Sequence, residues 1–362
     1  MQKESLNVML TCVNSQVSPS VIQLIYGHPN YDINVIGIDA VPLSDNLGKN
    51  FCKRCYQVPR GIDEDYIPSI KRIVEENNIK LIFPGSDEEC ITLAKHREVL
   101  NRLGCDVACS PYDVVSVVSD KYRLIIKLKS AGIYTSEVFS PETVSDLKVM
   151  AKEMGYPDKD IVIKPRFGRG SKGFKIITRE YDKYASFYNG ECYRITLEEI
   201  VDIFKEQSEE VSKYLLMAYY PGNKYSADIL VSDGRVHSMV IRNNGTFPKI
   251  NPPTQVAEIV FDEDIRSYAE SIVGVFDFDF FVQVEVGRTA EGSPGLIEAN
   301  TRMDATLPIT TGLGLNFYHE MITYAVTTKM REDIKDFRSH DSRLCFKRYW
   351  QHLFENVDND TY

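Results

Sequence analysis

The first 110 residues alternate between short apolar runs and segments in which apolar residues recur with helical spacing. A short apolar run is typical of a buried strand, and apolar residues every three or four positions are typical of a helix. The runs predict strands at residues 7–13, 33–39, 81–84 and 105–109. The helical spacing predicts helices at residues 18–26, 66–77 and 88–103. This order predicts an α/β fold with a doubly wound parallel sheet.

The turn after the first predicted strand, residues 14–18 (NSQVS), contains no glycine. A dinucleotide-binding fold needs glycines at this turn so that the backbone can approach a pyrophosphate closely. The N-terminal region therefore has the shape of a dinucleotide-binding domain without its signature.

The pattern of apolar residues changes after Pro111 and again at residue 214. Residues 122–131 and 197–206 have helical spacing, and a loop at 164–173 separates the apolar runs 161–163 and 174–177. From residue 214 the pattern predicts strands at 215–219, 225–231, 235–242, 280–286 and 295–298. Helices are predicted at 263–276 and from Asn316, and the charged tail after Lys329 is expected to fray. We therefore divide the chain into domains at 1–110, 111–213 and 214–330, followed by a tail at 331–362.

Composition narrows the classes of function. The 362 residues carry 42 Lys plus Arg against 52 Asp plus Glu, a net charge of −10. An acidic protein repels polyanions, so nucleic acid and anionic membrane are not expected partners, and bound phosphate would need a local basic site. The sequence has no apolar window long enough to span a membrane and no secretory signal, so we expect a cytoplasmic protein.

Eight cysteines include the pair Cys52 and Cys55, which has the spacing of half a zinc site or of a redox pair. No second half is present, because Cys105 and Cys109 lie on a predicted strand without a nearby histidine. We interpret the cysteines as free thiols, and the six scattered histidines suggest no catalytic triad or zinc site.

The loop at 164–173 (KPRFGRGSKG) is rich in glycine and cations. Gly168, Gly170 and Gly173 satisfy a dinucleotide pattern, but a strand-like segment follows where that fingerprint requires a helix. A Walker loop and the downstream kinase motifs are also absent. A hairpin with open backbone N–H groups, Ser171 and up to four cations (Lys164, Arg166, Arg169, Lys172) fits a phosphate cradle. A solvated basic hairpin is the alternative.

Two strands near the C-terminus, 280–286 (FFVQVEV) and 295–302 (GLIEANTR), carry alternating polar residues. Residues two apart in a strand share a face, so Glu298 lies beside Asn300 and Gln283 beside Glu285. Oxygen donors of this kind suit Mg²⁺ together with substrate phosphates, and Arg302 could contact a phosphoryl group. The alternative is a strand pair with a polar outer face.

The loop and the strand pair together, in this order and about 130 residues apart, resemble the ATP-grasp superfamily. Over roughly residues 5–330 the chain is most similar to a single synthetase unit of the carbamoyl-phosphate synthetase large subunit. The resemblance implies an α/β protein with a Rossmann-like N-terminal domain, followed by a two-lobed α+β ATP-grasp domain.

The resemblance also implies roles for individual residues. Lys121, after Asp120, and Lys164 would contact the nucleotide phosphates, and the loop with Gly168, Arg169, Gly170, Ser171 and Gly173 would cover them. The hinge at 217–222 would present the backbone of Ala218, Tyr219 and Tyr220 to the adenine. Gln283, Glu298 and Asn300 match the magnesium ligands, and Arg302 matches the arginine that steadies the transferred phosphoryl group.

The chain departs from the family pattern at positions that contact the ribose and at the first metal ligand. Ala218 stands where an acid often contacts the ribose, and Tyr225 stands at a second acidic position. Gln283 replaces the carboxylate that many relatives use as first metal ligand, with Glu285 as the alternative ligand.

Members of this superfamily use ATP to activate a carboxylate as an acyl phosphate, which an amine then attacks. The resemblance thus implies a carboxylate–amine ligase that needs ATP and Mg²⁺, with Mn²⁺ as a substitute, and acts on small-molecule acids and amines. A carbamoyl-phosphate-type enzyme using bicarbonate and a catalytically silent nucleotide-binding subunit are the alternatives, and a homodimer is a candidate assembly. Candidate substrate contacts are Arg242, Asp304, Thr306 and Thr310.

Overall fold

The computed structural model of the protein describes residues 3–168, 172–189, 193–246, 256–334, 336–337, 344–349 and 351–353. Within these residues the strands form three separate sheets, which follow one another along the chain. The loop residues Arg169, Gly170 and Ser171 of the predicted phosphate cradle lie outside the described residues.

The first sheet is parallel, with strand order β3-β2-β1-β4-β5. Its elements are β1 (Glu4–Thr11), α1 (Ser18–Tyr26), β2 (Tyr31–Asp39), β3 (Arg54–Gln57), α2 (Tyr66–Asn77), β4 (Ile79–Phe83), α3 (Asp87–Lys95), α4 (Arg97–Arg102) and β5 (Asp106–Val107). Helix α1 packs on one face, whereas α2, α3 and α4 cover the other, which confirms the doubly wound architecture. Strand β3 was not predicted, because its four residues include no apolar run.

The second sheet is built from short strands in the order β6-β10-β7-β8-β9. Its region contains α5 (Tyr112–Val118), α6 (Lys121–Ser130), β6 (Val138–Phe139), α7 (Val144–Glu153), β7 (Ile161–Pro165), β8 (Lys175–Ile177), α8 (Lys183–Asn189), β9 (Arg194–Ile195), α9 (Leu197–Lys205) and β10 (Tyr214–Ala218). Strands β7 and β8 are antiparallel neighbours, so the glycine-rich loop is the tip of a hairpin, as predicted. Strand β10 pairs with β7, so the chain leaves this sheet after Ala218 rather than at residue 214.

The third sheet is antiparallel, with strand order β15-β14-β11-β12-β13-β16. Its elements are β11 (Asn223–Ser232), β12 (Arg235–Thr246), β13 (Val256–Val260), α10 (Glu263–Val273), β14 (Phe280–Arg288), β15 (Pro294–Asn300), α11 (Phe317–Thr327) and β16 (Leu344–Lys347). The expectation that the chain after Lys329 frays is wrong for β16, which pairs with β13 at the edge of this sheet. The division into domains otherwise stays a prediction.

The two faces of the third sheet differ in chemistry. One face packs its alternating apolar residues, such as Ile229 and Val282, against α10. The other face is apolar where Leu230 and Phe281 pack against the first sheet and α11. Further along the same strands that face becomes polar. The polar face is thus next to the junction with the first sheet.

Among the described residues, none of the helices has the length and apolar character needed to cross a membrane.

Candidate active site

The polar face of the third sheet contains the residues that the sequence singled out as metal ligands. Strand β14 lies against β15 in antiparallel register, with Gln283 opposite Asn300 and Glu285 opposite Glu298. Because side chains on one face alternate with those on the other, these four side chains share one surface. The register places the two carboxylates on neighbouring strands, directly across from each other.

Glu298 lies at the centre of three positive charges. Its carboxylate is 3.7 Å from Lys121 Nζ. Burial would raise the pKa of Glu298, but Lys121, Lys164 and Arg302 together hold it below its ordinary value. Glu298 is therefore an ionised carboxylate surrounded by cations from separate elements of the fold.

Lys164 is the fourth residue of β7 and is only 7% exposed. Its Nζ donates a hydrogen bond to the carbonyl oxygen of Ile297 at 2.7 Å, so the second sheet reaches the polar face of the third here. Burial lowers the pKa of Lys164 to about 8, although Glu298 acts in the opposite direction. A lysine with this pKa changes its charge within the working range of many enzymes.

Lys121 is the first residue of α6, and the helix begins there because Asp120 caps it. The Asp120 carboxylate accepts hydrogen bonds from the backbone N–H groups of Tyr122 and Arg123. Lys121 Nζ donates to the carbonyl oxygen of Gly168 at 2.9 Å. Lys121 thus links the start of the glycine-rich loop to Glu298.

The described part of the glycine-rich loop depends on glycine for its backbone shape. Gly168 has φ of 120° and Gly173 has φ of 72°, a region that other residues rarely adopt. A Cβ at position 173 would lie 2.8 Å from Pro165 Cγ, so a larger residue would also collide with the end of β7.

Arg166 does not contribute a free cation to this loop, contrary to the prediction. Its guanidinium forms a two-pronged ion pair with Asp120, with Nε and Nη2 at 2.8 and 2.7 Å from the carboxylate oxygens. Asp120 therefore both caps α6 and fixes the position of Arg166. The positive charges that face Glu298 from this part of the chain come from Lys121 and Lys164.

Arg302 is oriented by a residue from the first sheet. Its Nε lies 2.6 Å from a carboxylate oxygen of Asp87, the first residue of α3. Sequence reasoning missed Asp87, because 215 positions separate the two residues and Asp87 resembles an ordinary acidic residue in a helix's first turn. The contact attaches the N-terminal sheet to the residue expected to bind the phosphoryl group.

Gln283 is almost fully buried and both ends of its amide are engaged. Nε2 donates to Asp228 Oδ1 at 2.8 Å, whereas Oε1 accepts a long hydrogen bond of 3.4 Å from Asn300. The short bond to Asp228 fixes which way the amide points. Its oxygen consequently faces Asn300 and the carboxylate pair.

Glu285 differs from Glu298 in its protonation. Burial raises the pKa of Glu285 to about 7, and Glu298 and Asp304 add to the rise, while Arg242 and Lys224 oppose it. A divalent cation between two such carboxylates would relieve their repulsion, so the donor chemistry fits Mg²⁺. Among the described residues no group of three or more His, Cys, Asp and Glu side chains could hold a metal. Amide and phosphate oxygens would therefore have to complete the coordination.

The predicted hinge residues lie at the end of β10 and directly after it. Ala218 ends β10, opposite Ile161 of β7. The ring of Tyr220 packs tightly against Gly287 and Gly295, where a Cβ would lie within 2.8 Å of it. Tyr219, between them, is partly buried, and burial raises its pKa.

The polar face continues beyond Arg302 into a buried charge network around Arg242. The Arg242 guanidinium lies 3.2 Å from Asp228 and 3.2 Å from Asp304, and it donates to Asn244 Oδ1 at 3.1 Å. Burial would raise the pKa of Asp304, but Arg242 lowers it to about 2. Asp228 was missed because it is the single acidic residue of its strand and belongs to no recognisable motif.

Of the other predicted substrate contacts, Thr306 lies within this network and Thr310 is bonded elsewhere. The backbone N–H and hydroxyl of Thr306 both donate to Asp304. The hydroxyl of Thr310 donates to the carbonyl oxygen of Leu307, inside the 3₁₀ helix Leu307–Leu313.

The two cysteines of the pair are partly buried free thiols. Burial raises the pKa of Cys52 to about 12 and that of Cys55 to about 11. The thiolate, which is the metal ligand and nucleophile, is thus disfavoured.

Two family models match the chain. Residues 8–108 match the PylC-like N-terminal domain, and residues 210–343 match a family described as ATP-grasp in the biosynthetic pathway with Ter operon. The second match includes the polar strands and Arg302. The match of residues 210–343 to an ATP-grasp family confirms the relationship suggested by the motifs. No curated protein sequence matches the chain.

Solved structures share the fold at low sequence identity. The L-amino acid ligase from Bacillus licheniformis is 18% identical, with 92% of this chain and 78% of that chain covered and a TM-score of 0.67. The biotin carboxylase domain of Hydrogenobacter thermophilus 2-oxoglutarate carboxylase, solved with MgADP and bicarbonate, is 17% identical. The match covers 91% of this chain and 71% of that chain, with a TM-score of 0.67. N5-carboxyaminoimidazole synthetase from Staphylococcus aureus, complexed with ADP, is 14% identical. The match covers 91% of this chain and 80% of that chain, with a TM-score of 0.63.

Proposed function

We propose that the chain is an ATP-dependent ligase that activates a small-molecule carboxylate as an acyl phosphate, joins it to an amine, and releases ADP and phosphate. The observation that carries this proposal is the convergence of Lys121, Lys164 and Arg302 on the ionised carboxylate of Glu298. The three cations form a local basic cluster in an acidic protein. Such a site suits a polyphosphate that brings its own metal ion.

Lys121 and Lys164 bind the phosphates of ATP in this proposal. Both ammonium groups already donate one hydrogen bond to a backbone carbonyl, which fixes their position, and each has two further protons to offer. The backbone N–H groups between Gly168 and Gly173, together with Arg169, Gly170 and Ser171, would close over the phosphates. The hinge backbone at Ala218, Tyr219 and Tyr220 binds the base.

Glu298, Asn300 and Gln283 hold the metal ion. The long hydrogen bond between Asn300 and Gln283 is weak enough to be exchanged for metal coordination. Glu285 adds negative charge beside them without being required as a ligand. Mg²⁺, when bound, supplies charge neutralisation between phosphate oxygens, and the same oxygen donors would accept Mn²⁺.

Arg302 stabilises the phosphoryl group during its transfer to the substrate carboxylate. Its ion pair with Asp87 holds the guanidinium in one orientation, so little reorganisation is needed as charge develops. Among the described residues, the site contains cations and oxygen ligands without a paired nucleophile and base. This fits a reaction in which the protein positions substrates and neutralises charge.

The test is a pairwise screen of amino acids, small carboxylates and amines for Mg²⁺-dependent release of ADP, with bicarbonate as a separate acid. We expect at least one acid–amine pair to release ADP and Lys164→Met to reduce that release by about tenfold or more. Lys205→Met, which changes an exposed lysine on α9, is the matched control and should leave the rate unchanged.

The other outcomes of the screen select between functions. Release of ADP with bicarbonate alone would favour the carboxylating alternative. A failure to bind ATP in calorimetry would overturn the proposal, and ATP binding without turnover for any pair would favour the silent subunit. We also propose a homodimer, to be tested by light scattering.

A further inference from the structure

Helix α8 carries three large side chains that are almost fully open to solvent. Tyr184, Phe187 and Tyr188 keep 74%, 84% and 76% of their surface accessible. Residues three and four apart lie on the same side of a helix, so these three side chains share one face. The rings of Tyr184 and Tyr188 are stacked, with centroids 6.2 Å apart and an angle of 18° between the ring planes. We call these three residues the aromatic face of α8.

Hydrogen bonds anchor α8 to the rest of its lobe. The Asp182 carboxylate accepts a hydrogen bond from the backbone N–H of Ala185 at 2.8 Å, in the first turn of the helix. Glu199 of α9 accepts one from Lys183 Nζ at 2.6 Å and another from the hydroxyl of Tyr181 at 3.3 Å. The aromatic face therefore projects from a helix that is fixed at its start.

The open area of the aromatic face is large enough for an interface. At their exposed fractions, three aromatic side chains of ~200 Å² each leave roughly 450 Å² accessible. A standard interface buries about 800 Å² on each partner, of which about 65% is apolar in homodimers. The aromatic face thus supplies most of the apolar area that one half of a stable dimer needs. Contiguous exposed patches of this size mark interaction sites in soluble proteins.

The distribution of charge favours a second copy of the chain at this face. Each copy has a net charge of −10, so two copies repel each other unless they meet through an uncharged surface. Lys183 is the one charged residue of α8, and its ammonium group is paired with Glu199. Two aromatic faces can therefore meet without bringing like charges into contact. A partner chosen by charge complementarity would find no charge on these three side chains to recognise.

We propose that the aromatic face of α8 is the interface for a second copy of this chain, packed about a two-fold axis beside Phe187. A two-fold interface uses the same surface on both copies, so the stacked tyrosines of each copy pack against those of the other. Phe187 lies between the tyrosines in the sequence and is the most exposed of the three, which places it nearest the axis. This inference specifies the interface of the proposed homodimer and does not depend on the ligase activity.

The proposed interface would join the lobes that carry the glycine-rich loop. That loop is the tip of the β7–β8 hairpin, and α8 follows β8 along the chain. The second sheets of the two copies would therefore be linked through their α8 helices. Dimerisation would consequently restrict the lobe that is proposed to cover the phosphates.

The test measures the assembly of the full chain without nucleotide, by sedimentation velocity and light scattering. We expect wild type to be a dimer at micromolar concentration. Phe187→Glu places two like charges at the axis and should raise the dimer dissociation constant about thirtyfold or more. Its melting temperature as a monomer should match that of monomeric wild type at high dilution, because the side chain is exposed. Phe187→Ser serves if the glutamate variant does not fold.

The matched control is Ile62→Glu, which adds a negative charge at an exposed apolar residue between β3 and α2. This variant should dimerise like wild type. A monomeric wild type, or a dimer that Phe187→Glu does not weaken, overturns the proposal.

Cross-linking tests the two-fold packing itself. Phe187→Cys should form a disulfide between two copies in oxidised glutathione, because residues beside a two-fold axis face their own counterparts. Wild type under the same treatment is the control, since Cys345 is an exposed native thiol. A yield of cross-linked dimer no higher than that of wild type contradicts this placement of the axis.

Other occupants of the aromatic face would give different results. A monomer in which ADP and Mg²⁺ protect Tyr184 and Tyr188 from surface labelling would assign a segment of this chain to the face. A monomer that binds phosphatidylcholine vesicles through Phe187 would assign a lipid surface. Either result overturns the second copy.

The interface and the ligase fail separately. A dimer that depends on Phe187, without ADP release from any acid–amine pair, would retain the interface and remove the ligase. ADP release by a chain that stays monomeric would retain the ligase and remove the interface.

Discussion

The affinity of the protein for ATP should fall as the pH rises through about 8, because Lys164 loses its charge there. Burial lowers the pKa of this ammonium, and its side chain is only 7% exposed. In the proposed function, phosphate binds the charged form of Lys164, so ATP should raise the pKa of Lys164 when it binds. The free energy of ATP binding therefore contains a contribution from the charge of Lys164. This contribution is complete below the pKa that Lys164 has in the free protein and is lost above it.

The size of the fall in ATP affinity follows from the titration of Lys164 alone. With a pKa of about 8, Lys164 is about nine-tenths protonated at pH 7 and about one-tenth protonated at pH 9. If the ATP complex stays protonated over this range, the affinity falls about tenfold between pH 7 and pH 9. That fall corresponds to about 1.4 kcal/mol.

Calorimetric titration with ATP and Mg²⁺ at pH 7 and pH 9 measures this difference directly. Lys164→Arg should abolish the difference, because an arginine stays protonated at both values. Lys164→Met should bind ATP about tenfold or more weakly at pH 7, with little further change at pH 9. Lys224 also has a pKa lowered by burial to about 8, so Lys224→Met tests whether it shares the effect. A tenfold fall that persists in Lys164→Arg would refute this account.

Three further variants test other parts of the site. Glu298→Gln should abolish Mg²⁺-dependent ADP formation while the melting temperature changes by a few degrees, and robust turnover would remove Glu298 from the mechanism. Asp87→Asn should lower kcat for ADP release while ATP affinity by calorimetry stays near wild type, because Arg302 loses only its orienting partner; an equal loss of ATP affinity would contradict this. Cys52→Ser combined with Cys55→Ser should leave ADP release near wild type, and elemental analysis should find no stoichiometric zinc; one zinc per chain would overturn it.

Local patterns in the sequence contained enough information for the main elements of the fold. The helices Ser18–Tyr26 and Tyr66–Asn77 begin and end at the predicted residues, because an amphipathic helix is encoded by its own spacing. The long helix predicted at 88–103 is interrupted at His96, whose backbone leaves the helical conformation. Edge strands such as β16 escaped detection because their residues are partly exposed and lack a buried apolar run.

The sequence alone also established the shared faces of the candidate site. Glu298 and Asn300 lie on one face because side chains in a strand alternate, whatever surrounds the strand. The spacing between the glycine-rich loop and this strand indicated the superfamily, which the family models confirm.

Only the tertiary structure decided which of these side chains are free to act and which are already engaged. Asp120 occupies Arg166, Asp228 fixes the amide of Gln283, and Asp87 orients Arg302. Each contact joins residues at least 46 positions apart, so no local pattern encodes it. The lowered pKa of Lys164 is likewise a property of burial between two sheets. Periodicity fixes the face on which a side chain lies, whereas its partners, charge and availability depend on how distant parts of the chain pack together.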